Sequence, residues 1–140
     1  MPDLNILVFV RPNDPGLPAL PRMPSGTRAL VAHNVEDALA LAPQADAMLV
    51  ATGNAAALER IWRAAPRLRW IHTRPAGVDH LLFADLVKSP IPVTNSRGVF
   101  SSSLAEFAAF GLLFFLKNAR QKTRQLQVVL DDQQLHAAAV

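Results

Sequence analysis

The chain has 140 residues, 51% of them hydrophobic and 18% charged, which excludes an intrinsically disordered chain and allows one ordinary domain with a real core. It has no cysteine, so disulfides, thiolate metal sites and thiol catalysis are excluded. The pI is near 10.2, but a net charge of +3 is too small an excess to argue for a nucleic-acid partner.

Apolar runs alternate with helical patterns along the chain, and that alternation predicts an α/β fold. "NILVFV" (5–10) is short and continuously apolar, as expected of a strand buried on both faces. Asp3 precedes it and the run is too short for a signal core, so a cytoplasmic location is expected. A loop follows with Pro12, Pro15, Pro18, Pro21 and Pro24 spaced three apart. That spacing suits a polyproline ligand, but without a further repeat an ordered surface loop is the simpler reading. "TRALVAH" (27–33) is predicted as a second strand. Asn34 caps the next helix, whose first turn carries Glu36 and Asp37 at the positive end of the dipole and which ends before Pro43. "ADAMLVA" (45–51) is the third strand. Thr52-Gly53-Asn54 makes a tight turn, with Asn54 capping the helix "AAALERIWRAA" that stops at Pro66.

"LRWIHT" (68–73) is the fourth strand and leads into "RPAGVDH". A short helix over "HLLFADLVKS" and a proline-flanked edge strand "IPVTN" (91–95) come next. Ser103 with Glu106 three residues later predicts a capping box and a helix starting near 103. That helix runs through "LAEFAAFGLLFFLKNARQKTRQLQ" and turns from apolar to polar near Lys117. Its apolar part is 13 residues and contains Glu106, whereas a membrane span needs about 20, so it is expected to be a buried core helix. The end, "LDDQQLHAAAV", has no persuasive apolar period and is expected to fray.

Together these elements predict a flavodoxin-like parallel five-stranded sheet, order 2-1-3-4-5, with helices on both faces and a long C-terminal helix. Residues 1–116 form the predicted domain, and 117–140 a protruding helix end and tail. Ligands of such sheets bind outside the carboxyl ends of the strands, which singles out the turns 52–54, 74–79 and 95–102. Gly77 either permits a bend, with Asp79 as a cap, or lets a ligand approach the backbone. Spacing alone favours the bend. In the second case the N–H groups of Gly77, Val78 and Asp79 would form a nest for a carboxylate or phosphate. Asp79 and His80 are helical neighbours that point apart, so no proton-transfer pair is expected. His33, His72, His80 and His136 show no metal-ligand spacing. "NSRGVFSSS" (95–103) opens a helix but lacks Gly-x-Gly-x-x-Gly and the Gly-Lys-Ser/Thr of a P-loop. The basic positions Lys117, Arg120, Lys122 and Arg124 read as a solvated helix end, and a basic nucleic-acid module rests on charge alone.

"LRWIHTRPAGVDHLLF" followed by "IPVTNSRGVFSSSLAEFAAFGLL" resembles the N-terminal catalytic domain of NAD(P)-dependent D-isomer-specific 2-hydroxyacid dehydrogenases, over about residues 4–120. The matching features are the Leu-x-x-Ile strand, the Gly-Val-Asp turn, the "PVTN" strand and a Gly-containing loop ending in Ala-Glu on a long helix. The resemblance implies that amides at Gly77 and Val78 hold the carboxylate of a 2-hydroxy or 2-oxo acid, with Ala76 bordering the pocket. Thr52 and Gly53 match the loop at the pocket's side-chain end. Ser103 matches a position that in some members faces NAD or NADP. Family members continue into a Rossmann domain that brings a Gly-rich fingerprint and the catalytic Arg, Glu and His. None of these follows Gln121, and only Gly98 and Gly111 occur in the last 45 residues. The expectation is therefore an oxidoreductase-family domain that is truncated, inactive and without cofactor binding by itself. The alternative is a non-catalytic oxyacid-binding or dimerisation module that pairs with a full-length relative.

Overall fold

The computed structural model describes residues 4–127, so the tail 130–140 lies outside the described residues. Five strands, β1 (Leu4–Phe9), β2 (Thr27–Ala32), β3 (Ala47–Val50), β4 (Trp70–Thr73) and β5 (Val93–Asn95), form one parallel sheet in the order β2-β1-β3-β4-β5. This is the predicted order. Each strand falls on its predicted run with no end moved by more than two residues. At β4 the cause is local: Leu68 N–H closes a turn on Ala65 C=O, and only beyond it does the chain enter the ladder.

Helix α1 (Val35–Leu41) and helix α2 (Ala55–Arg63) begin at the predicted caps. Asn34 Oδ1 accepts from Asp37 N–H at 2.8 Å, and Asn54 Oδ1 accepts from Ala57 N–H at 3.0 Å. Each satisfies an amide that the helix itself leaves unpaired. Ala38 on α1 and Leu58 and Ile61 on α2 pack with Leu7, Phe9, Leu30, Ala32, Met48, Val50 and Ile71 of the strands. The parallel register places those strand residues on one face of the sheet. On the opposite face Val8 and Ala47 are buried, Ile6, Val31, Leu49 and His72 are half-buried, and Trp70 is exposed.

Three local differences from the sequence expectations have physical causes. The predicted helix over 80–89 is split into a 3-10 turn (Asp79–Leu81) and helix α3 (Ala84–Lys88). Leu81 and Leu86 both enter the core. One straight α-helix would put residues five apart on directions about 140° apart, so the break at Leu82-Phe83 lets both point inward. Pro18 and Pro21 of the three-residue proline spacing lie in a 3-10 helix over Leu17–Arg22, whose period is also three.

The third difference lies in the C-terminal helix. The chain divides into two compact units, Met1–Arg97 and Gly98–Val140. In the second, α4 (Ser101–Leu116) starts two residues before the predicted capping box, and Ser103 lies inside its first turn. Gly98, in the left-handed region at φ +90°, makes the entry turn, and its carbonyl accepts from Ser101 N–H. The first helical amide bond, Leu104 N–H to Phe100 C=O, fixes the start. No side-chain cap is made. The helix was expected to continue past Lys117, but Asn118 adopts φ +51° and ends it. Asn118 N–H donates to Phe115 C=O, and Asn118 C=O accepts from Gln121 and Lys122 to start a further helical stretch over 119–127. Asn tolerates this backbone best after Gly, which makes it an effective stop. The expected burial of α4 is also not met: none of its side chains is buried.

Candidate functional site

The turns after β3 and β4 leave the sheet side by side. Val50 and Thr73 are register partners, and Arg74 N–H extends the ladder by donating to Val50 C=O at 3.0 Å. Thr52 and Gly53 on one turn, and Ala76, Gly77 and Val78 on the next, therefore gather at the carboxyl edge of the sheet, where parallel α/β folds bind ligands. Ser103, the remaining expected site residue, belongs to the second unit and is exposed in the first turn of α4.

The 74–78 turn is tied down through Arg74 and through carbonyl groups, and not through the amides that follow Arg74. Thr73 Oγ1 donates to Pro75 C=O at 3.3 Å, and Asn95 Nδ2 donates to Ala76 C=O at 2.7 Å from the end of β5. Arg74 is held through its side chain and its amide. By contrast, the N–H groups of Ala76, Gly77, Val78, Asp79 and His80 have no acceptor among the described residues. Five successive free donors are an anion-binding resource. Val78 is the N-cap of the 3-10 turn and Asp79 follows it, so Asp79 is not the cap that the bend reading requires. Gly77 does not occupy the left-handed region, and a Cβ built on it would meet nothing within 4 Å. Neither backbone conformation nor packing requires a glycine here.

Gly53 is the opposite case. Its φ is +103°, and a Cβ would stand 2.9 Å from Phe9 Cε1. The β3 turn is thus pressed against the end of β1 and depends on glycine for its shape. Thr52 and Gly53 amides are likewise without a protein acceptor among the described residues.

An ion pair between a buried carboxylate and a half-exposed arginine completes the edge. Asp14, in the loop after β1, has only 2% of its side chain exposed; its Oδ1 accepts from Arg74 Nη1 at 2.5 Å and from Gly16 N–H at 2.9 Å. The hydrogen bond from Arg74, followed by that from Gly16, holds the Asp14 carboxyl below its ordinary range against the opposing effect of burial. Sequence reasoning passed over Asp14 as part of a proline loop and gave Arg74 and Asn95 no role. No local spacing signals a contact across 60 residues.

Among the described residues Asp46 is the other buried carboxylate, and it sits at the opposite, amino end of the strands. It accepts from Asn5 N–H and Arg67, which depress its pKa in that order, and it serves the fold. His72 shares a hydrogen bond with Thr94 Oγ1 at 2.9 Å, and Thr94 Oγ1 also accepts from Trp70 Nε1. Asp79 and His80 are exposed and not bonded to each other. Among the described residues no group of three His, Asp or Glu gathers at metal-binding distance, and no helix is long and apolar enough to cross a membrane.

The fold is that of an α/β domain built on a five-stranded parallel sheet. Residues 24–135 match the family described as "D-isomer specific 2-hydroxyacid dehydrogenase, catalytic domain". The chain belongs to that family. Among solved structures, it is similar to a D-isomer specific 2-hydroxyacid dehydrogenase family protein from Aeromonas salmonicida subsp. salmonicida A449, with TM-score 0.59 and 24% identity over 87% of this chain and 40% of that one. It is also similar to one from Klebsiella pneumoniae 342, with TM-score 0.54 and 27% identity over 89% of this chain and 39% of that one. The chain thus spans about two fifths of the length of these proteins. No curated protein matches it.

The family is generally NAD-dependent. The described residues do not by themselves fit a dinucleotide: no strand follows β5 among them, and "NSRGVFSSS" lacks the glycine spacing that admits a pyrophosphate.

Proposed function

We propose that this chain supplies the carboxylate half of a D-2-hydroxyacid dehydrogenase site. In this reading the free amides of Gly77 and Val78 hold the carboxylate of a small 2-hydroxy or 2-oxo acid, and Ala76, Thr52 and Gly53 border its side chain. The supporting observation is the run of unpaired amides at 76–80 beside the open space at Gly77. Bonds from an amide to a charged carboxylate are about twice as strong as neutral ones, so two or three suffice for a weak half-site.

Hydride transfer also needs a nicotinamide against C2 and an acid/base on the substrate oxygen. Both would come from a nucleotide-binding domain outside these 140 residues, with Ser103 facing the cofactor. Alone, the chain binds the acid without turning it over. Amide chemical shifts of the 15N-labelled chain test the reading. Hydroxypyruvate should move Gly77 and Val78 while dihydroxyacetone, which lacks the carboxylate, should not. Equal responses to the two would refute carboxylate recognition, and oxidation of NADH or NADPH by the purified chain would refute the division of labour.

A further inference from the structure

The Asp14–Arg74 pair is placed and built in a way that loop stability does not account for. β1 and β4 are not neighbours in the sheet, because β3 lies between them. The pair therefore bridges over the end of β3, joining the loop after β1 to the first residue of the carboxylate turn. The loop is shaped around it. Asn13 takes the left-handed region at φ +60° just before Asp14, and Leu17 N–H folds back onto Asp14 C=O. A Cβ on Gly16 would lie 3.2 Å from Asp14 Oδ1 and 3.7 Å from Arg74 Nη1, so the glycine keeps the space around the pair clear. Taking the Asp14 carboxylate out of water costs free energy, and an apolar contact would close the same loop without that cost. What an apolar contact cannot do is fix the direction of a guanidinium. Arg74 is the residue from which the 75–78 turn hangs, and Asn95 holds the other flank through Ala76 C=O.

We infer that Asp14 is a positioning residue for oxyacid binding: it clamps Arg74 across the end of β3 and so sets the pose of the Ala76–Val78 amides. The inference rests on the reading of those amides as the carboxylate site. Asp14 touches no substrate itself and acts through Arg74.

The test is the hydroxypyruvate titration of the 15N-labelled 140-residue chain, repeated on Asp14→Asn, Arg74→Gln and the double variant. Asp14→Asn keeps the shape of the side chain and removes its charge. Affinity should fall on the order of tenfold in each single variant, the scale set by a small misplacement of binding groups. The double variant should be no weaker than the worse single one, because both act through one contact. In the ligand-free Asp14→Asn protein the amide signals of residues 76–79 should shift while those of α1 stay in place, which general loosening would not produce. If Asp14→Asn does not fold, the Arg74→Gln titration carries the same decision. Wild-type affinity in the single variants, or losses that add in the double variant, would overturn the inference and leave the carboxylate site standing. A wild-type chain that does not respond at Gly77 and Val78 would overturn both.

Discussion

Replacing Gly77 with alanine separates a glycine kept for a bend from one kept for a ligand. If the bend were the reason, the added methyl would strain the backbone or strike a neighbour. Gly77 lies outside the left-handed region and its Cβ position is open to 4 Å. Folding should then be unharmed, or improved by about 0.4–1 kcal/mol because alanine restricts the unfolded chain. Binding should behave in the opposite way. A methyl group in front of the free amides displaces the carboxylate from one charge-assisted hydrogen bond, worth about 1.5–3 kcal/mol. A loss of 1.4 kcal/mol is a factor of ten, so hydroxypyruvate affinity should fall by roughly ten- to a hundredfold. Thermal melting without ligand and amide titration with hydroxypyruvate measure the two effects on one sample. A variant that melts well below wild type without ligand, or that binds as tightly, refutes the reasoning.

The matching change at Gly53 should fail for structural reasons. Alanine there meets Phe9 at 2.9 Å and is held at φ +103°, so Gly53→Ala should lower the unfolding free energy by about 1–3 kcal/mol in a urea melt. Asn34→Ala and Asn54→Ala each remove a side-chain cap and should each cost about 0.5–2 kcal/mol, adding in the double variant because the two helices have separate caps; a markedly non-additive sum would show that the caps are coupled. Acid should destabilise the chain through Asp14 and Asp46. Both folded pKa values lie below the ordinary 3.8, so their stabilisation is complete above that value and is lost as pH falls through the lower folded values. Urea midpoints taken from pH 6 down to pH 2 should therefore drop more gently in Asp46→Asn than in wild type, and parallel acid limbs would remove Asp46 from the account.

The sequence was most legible where one residue type answers a local need. Asn34 and Asn54 stand before apolar helical periods, and both cap as read. The buried runs at 5–10 and 45–51 place two of the three interior strands, and the βα alternation then leaves few strand orders to choose among. Errors arose where a local rule competed with packing or with an unusual backbone. Ser103 and Glu106 spell a capping box, yet Gly98 turns the chain early and the helix is under way before they are reached. Asn118, inside a polar helical period, stops the helix through its left-handed conformation, and periodicity carries no trace of that. The 80–89 helix breaks because two leucines that belong to the core are out of phase on a straight helix.

The candidate site divides along the same line. Its amides come from one contiguous turn, and a contiguous turn can be quoted from the sequence. Its supports do not: Asp14 reaches Arg74 across 60 residues, and Asn95 reaches Ala76 across 19. Asn95 ends β5 and Asp14 lies in the loop that follows β1, so the parallel sheet brings both to its carboxyl edge. The turn's own hydrogen bonds engage Arg74 N–H and the carbonyls of Pro75 and Ala76, while its next five amides stay unpaired. Unpaired donors are tolerable only where water or a ligand reaches them, and Ala76, Gly77, Asp79 and His80 are exposed. A turn tied firmly by its acceptors and left free in its donors is suited to an anion. The folded chain by itself does not require glycine at 77, and in the proposed reading the glycine serves the approach of an oxyacid.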